Sequence, residues 1–232
     1  MSIITNRRKN NRQSLYEGDF TALSGWIDFF LGRMRNDFPM TYLSHMSGEA
    51  ATVRQANYMK DLGSFSPKHM GYLNINRYII NNLILANERN DEKSENLFRF
   101  QMIISIGHEI VHFLTGFLTG EKADKIGTPR ETSAPWYGTR DYGEAGRFWE
   151  EKFFGGQMEM WEDKSDPLGA LQAGKPYLMD DGNPKSRARA IDIDFINEFF
   201  SGKQRLPIRT QGRKRATTRE ALRKNCPYKV KV

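Results

Sequence analysis

IISIGHEIVHFLTG, residues Ile103 to Gly116, places two of the chain's four histidines four residues apart, with a glutamate beside the first, inside an apolar run. On an α-helix, residues i and i+4 project from the same face one turn apart. His108 and His112 can therefore bring both imidazoles to one zinc ion, and Glu109, rotated by about 100°, falls beside that position and not on it. The flanking residues predict a helix from Glu95 to about Thr119, capped by Ser94 and stopped by Gly120. Met102, Ile103, Ile106, Ile110, Val111, Phe113, Leu114, Phe117 and Leu118 cover nearly its whole circumference. A helix apolar all round belongs at the centre of a domain. Charged groups buried there are costly unless paired, and a metal ion would resolve the conflict.

The segments around this helix predict a mixed architecture. Phe20, Leu23, Trp26, Ile27, Phe30, Leu31 and Met34 form a 3.6-residue stripe, read as a helix from an Asp19 cap to about Asn36. A second, less apolar helix is expected from Ser47 to about Leu62, then a strand over His69–Asn76 and a helix over Arg77–Asn87. Residues 120–143 lack periodicity and are rich in Gly and Pro, the mark of a long functional loop. A helix from Glu144 to Phe154, strands near Gln157–Trp161 and Tyr177–Met179, and a helix near Phe195–Phe200 complete the pattern. The expectation is an α+β, helix-rich single domain with a small sheet and a central active-site helix. It spans residues 19–202, between a loose leader (1–18) and a basic tail (203–232).

Composition narrows the function classes. The charge of +7 is concentrated at the end of the chain: residues 203–232 carry eleven Lys or Arg against Glu220 alone, while the remainder is mildly acidic. That tail is read as a solvated terminus with the capacity to touch nucleic acid or an anionic surface. No run reaches the roughly 18 uninterrupted apolar residues of a membrane span, and MSIITNRRKNNRQ has no apolar signal core. With one cysteine, Cys226, no internal disulfide forms, and an intracellular setting is expected, cytoplasmic or nuclear.

A catalytic zinc takes three protein ligands and leaves a fourth position open. No histidine follows His112, so the third ligand is a carboxylate or comes from upstream. Asp141 in GTRDYG and Glu144 in GEAGRFWEEKFFGG are the leading candidates, with Glu150 and Glu151 behind them. Tyr137, Arg140, Tyr142 and Arg147 lie close enough in sequence to answer charge on a transition-state oxygen, although Arg147 also sits at helical spacing to pair with Glu144 or Glu151. His45 and His69 are read as structural or exposed.

His108-Glu109-x-x-His112 followed by a helix opening Glu144-Ala145 resembles the gluzincin arrangement of the zincin metallopeptidases. The Glu-Ala start with Phe148 four residues on is similar to small bacterial zincins that cleave repressors. The longer pattern, HEIVHFLTGFLTG, GTP, GEAGRFWEEKFFGG, resembles short zincin-like proteins of filamentous fungi. GTRDYG is similar, with shortened spacing, to the aspzincin segment whose Asp is a ligand. The resemblance covers roughly residues 70–200. It implies that His108, His112 and Glu144 ligate zinc and that Glu109 is the general base. It also implies hydrolysis of a peptide or protein substrate. The second acid that usually follows the ligand glutamate by four residues is replaced by Phe148. Two other readings stand beside this one: a non-proteolytic metal-dependent enzyme of small-molecule biosynthesis, and a basic-tailed binding protein.

Overall fold

The computed structural model describes residues 20–55, 60–120, 128–130, 132–140, 142–203, 206, 208–211 and 216–225. The chain is α+β and helix-rich with small sheets, as expected. Its elements in order are α1 (Leu23–Asn36), β1 (Met40–Ser44), β2 (Ala50–Arg54), α2 (Pro67–Met70), β3 (Gly71–Asn76), α3 (Arg77–Glu88), α4 (Glu92–Thr119), α5 (Ala145–Phe154), β4 (Gln157–Trp161), β5 (Lys175–Met179), β6 (Arg187–Ala190), α6 (Ile193–Phe200), β7 (Thr217–Thr218) and α7 (Arg219–Asn225). They fall into two compact units that exchange chain within β1, β3, α4 and α5. One contains residues up to Tyr42, then Ala50–Asn74 and Gly107–Phe148; the other contains Leu43–Glu49, Ile75–Ile106 and Trp149 onward.

In the first unit, an aromatic cluster fixes α1 against the C-terminal half of α4. The rings of Phe30, Phe65 and Phe117 meet at centroid separations of 4.7–5.4 Å. Their apolar area, fully withdrawn from water, is the main local source of stability. The α1 stripe delivers Phe30 and Met34 to the interior but leaves Leu31 half exposed. Asp19, the expected cap of α1, lies outside the described residues.

The helix expected from Ser47 to Leu62 does not form over the described residues 47–55 and 60–62. β2 occupies Ala50–Arg54, with β-branched Thr52 and Val53 at its centre, and pairs on the edge of a three-stranded sheet ordered β1-β3-β2. Asn76 N–H donates to Glu49 O (2.9 Å) and Gln55 N–H to Met70 O (2.8 Å), the pattern of an antiparallel partner. Gly71 permits the close approach, because a Cβ there would lie 2.0 Å from Val53 O.

α4 begins earlier than expected. Ser94 N–H is taken by Asp91 Oδ1 at 3.1 Å, so Asp91 is the cap and Ser94 lies inside the helix. This hydrogen bond to Ser94 holds the Asp91 carboxyl below the usual carboxylate range. Gly120 ends the helix with φ +60°, as expected of a left-handed C-terminal stop. By length and composition alone α4 would suit a membrane span, but 56% of its most apolar window is buried inside the fold.

The second unit packs Phe98, Phe100 and Ile104 of α4 with Met158, Leu178, Phe195 and Ile196. Its sheet is antiparallel in the order β4-β5-β6-β7, with Glu159 opposite Tyr177 and Ala188 opposite Thr217. The strands β6 and β7 escaped the sequence reading, and so did the structural use of residues beyond 203. β7 and α7 are built from the supposed tail, and Leu222 is buried with Trp161, Met179 and Ala188. Part of the tail's charge is neutralised within the fold: Arg209 pairs with Asp192 and Glu198, Lys224 with Glu220, and Arg219 with Glu159.

The Arg219–Glu159 pair is withdrawn from solvent, and the guanidinium also donates to Gly182 O at 2.6 Å. Removing one partner leaves a buried charge uncompensated, at a cost of about 3–5 kcal/mol. Arg219→Met is therefore expected to lower the thermal midpoint markedly and to open residues 216–225 to protease. A wild-type midpoint and digestion pattern in that variant would show that the Arg219–Glu159 pair contributes nothing to the fold.

Candidate metal centre

α4 and the start of α5 supply the site, and both contributing segments belong to the first unit. His108 and His112 leave α4 one turn apart and aim their Nε2 atoms at each other at 3.3 Å. Glu144 sets its Oε1 3.2 Å from His108 Nε2 and 2.6 Å from His112 Nε2. The three donor atoms form a triangle. Ligands at 2.0–2.1 Å from a tetrahedral zinc stand about 3.3–3.4 Å apart, close to two of the three edges. Two imidazole nitrogens and a carboxylate oxygen are also the donor set zinc prefers. Three lone pairs facing one point repel unless a positive charge lies between them, which a proton or a cation provides. The side chains are 15–24% exposed, so the cluster remains within reach of solvent. By these criteria the residues fit a zinc ion.

Glu144 is held by local structure. It precedes α5, and its Oε2 accepts the backbone N–H of Arg147, three residues on, in the manner of an N-cap. Phe148 N–H donates to Glu144 O at 3.1 Å, closing the first helical turn. One carboxylate oxygen is thus spent on the helix and the other is free to face the imidazoles. The positive end of the helix dipole favours the anion at this position. Burial on its own raises the pKa of Glu144, but hydrogen bonds and charge from His108 and His112 outweigh it and hold the carboxyl far below the usual range. These contacts favour the ionised carboxylate.

Glycine sets the clearance. A Cβ at Gly146 would lie 2.3 Å from His108 Cδ2 and Nε2, so α5 can bring Glu144 to the histidines only with hydrogen at that position.

Glu109 points elsewhere, as helical geometry requires. It is 8% exposed, and its Oε2 accepts Thr52 N–H of β2 at 2.7 Å, while Thr52 Oγ1 donates to Glu109 O at 3.2 Å. Oε1 has no protein partner among the described residues. Sequence reasoning missed Thr52 because its strand was read as helix; the β-branched pair Thr52-Val53 was the available signal.

The other candidates divide as follows. Glu150 is buried and accepts Met158 N–H at 2.9 Å, which makes it a structural carboxylate. Glu151 pairs with Lys152 at 3.1 Å. Neither joins the ligand cluster. Asp141 lies outside the described residues. Arg147 gives its backbone to Glu144, and its guanidinium lies over the Tyr137 ring, 5.4 Å from the centroid. Arg140 and Tyr142 are exposed. His45 and His69 are exposed and stand apart from the cluster. No protein-family model, characterised protein or solved structure matches this chain.

The Gly146 clearance predicts a specific failure. Gly146→Ala is expected to keep the fold but push His108 off the common point, weakening zinc binding at least tenfold in a chelator-competition titration. Wild-type affinity in that variant would mean that His108 does not depend on α5 for its position.

Proposed function

We propose that the protein is a zinc-dependent metallohydrolase, most specifically a metallopeptidase. The observation that carries this reading is the convergence of His108, His112 and Glu144 beside a separately anchored Glu109. His108, His112 and Glu144 would hold the ion. Zinc bound there supplies a Lewis acid that polarises a scissile carbonyl and lowers the pKa of water toward neutrality.

The chain's own residues do the rest. Thr52 N–H fixes one oxygen of Glu109, which leaves Oε1 to accept the proton of the attacking water and return it to the leaving amine. Because that anchor is a backbone group on a strand, the base keeps one orientation through the cycle. β2 is an edge strand of its sheet and meets the motif helix at Glu109. An edge strand beside the base offers backbone hydrogen bonds to an extended chain, which favours a peptide over a compact metabolite.

Glu109→Gln preserves the hydrogen bond from Thr52 but cannot take a proton. That variant is expected to retain about one zinc per chain and to lose at least about 10²-fold in peptide hydrolysis, measured with a zinc-loaded sample on a mixed peptide library. Undiminished turnover would remove Glu109 from the base role.

A further inference from the structure

Arg54 is a half-buried cation of the site-bearing unit that no carboxylate among the described residues answers. It lies on β2, two residues beyond Thr52, so the two residues share one face of the strand. Its stem crosses α4 at Gly116: a Cβ there would lie 2.9 Å from Arg54 Cδ and Nη1. Gly116 is seven residues after Glu109 and returns to nearly the same helix face. Glycine within a helix is unfavourable, and here it makes room for the arginine. Nη1 is buried without a hydrogen-bond partner, and no carboxylate among the described residues pairs with Arg54, which is half-buried. The adjoining residues Ala56, Asn57, Tyr58 and Met59 carry no acid either. Elsewhere in the described chain, buried cationic charge is met by acid, as Arg219 is by Glu159.

We infer that Arg54 is a specificity residue that receives a carboxylate of the substrate. This inference rests on the metallopeptidase reading. From Glu109 to Gly116 the helix advances about 10 Å, the length of about three residues of extended peptide at about 3.3 Å each. The anion is therefore expected up to three residues from the bond cut. A guanidinium takes a carboxylate through paired N–H groups and so discriminates more sharply than a point charge. The carboxylate is either the free C-terminus or an acidic side chain.

The test uses peptide hydroxamates on zinc-loaded protein. The chelating head is followed by one to three residues and ends in a carboxylate or a carboxamide; a further pair ends in carboxamide and carries Glu or Gln as its last residue. Wild-type protein is expected to bind one carboxylate ligand at least about tenfold more tightly than its neutral twin. The carboxylate-ended arm winning identifies a C-terminus, and the Glu arm an acidic side chain. Arg54→Met is expected to abolish the preference and Arg54→Lys to keep part of it, each with unchanged zinc content. Equal affinities for every pair, or a preference that survives Arg54→Met, overturn the inference alone. Should Arg54→Met fail to fold, a full wild-type preference in Arg54→Lys overturns it, since the paired geometry would then be irrelevant. Failure of all hydroxamates to bind overturns the metallopeptidase reading together with this one.

Discussion

Three electron-rich atoms meeting inside a triangle of 2.6–3.3 Å edges is the constraint around which the first unit is built. A proton or a cation among the three atoms makes the arrangement attractive, and each contributor is also held in place from outside. α4 holds the imidazoles through its helical spacing. The first turn of α5 holds Glu144 by taking one of its oxygens as a cap. Gly146 supplies the missing volume that lets the two helices approach. The aromatic cluster of Phe30, Phe65 and Phe117 then ties the C-terminal half of α4 to α1, so the histidines stand on a rigid support.

The same economy governs Glu109. A carboxylate one residue from a ligand could collapse onto the ion and become a fourth donor. The Thr52 amide prevents this by holding one oxygen on the strand side of the helix. His108 and Glu109 are adjacent in sequence yet answer to different partners, Glu144 beside α5 and Thr52 on β2. On the proposed reading, this division would separate metal binding from proton transfer.

Much of the site was legible because its signals are local. The i, i+4 spacing of His108 and His112 depends on a few consecutive residues and the helix period; Glu144 was reached through the resemblance of its helix start, and its capping of α5 is visible only in the fold. The central helix, α1, α3, α5 and β4 were legible for the same reason. What escaped depends on distant partners. Ala50–Arg54 has the alanine content of a helix, and only its pairing with β3 makes it a strand. Asp91 and Ser94 are both good caps, and sequence alone does not rank them. The residues beyond 203 read as a solvated tail because charge dominates them, but Leu222 and the Arg219–Glu159 pair draw part of the segment into the second unit. Arg54 gives no local signal, because the lack of a carboxylate partner among the described residues is visible only in the fold.

Zinc K-edge absorption spectroscopy of protein dialysed free of metal and then titrated with zinc shows whether the triangle holds a metal. Saturation is expected at about one zinc per chain, with two imidazole nitrogens and light oxygen donors around the ion at about 2.0–2.1 Å. A protein that takes up no stoichiometric zinc, or binds it without an imidazole signature, would contradict it.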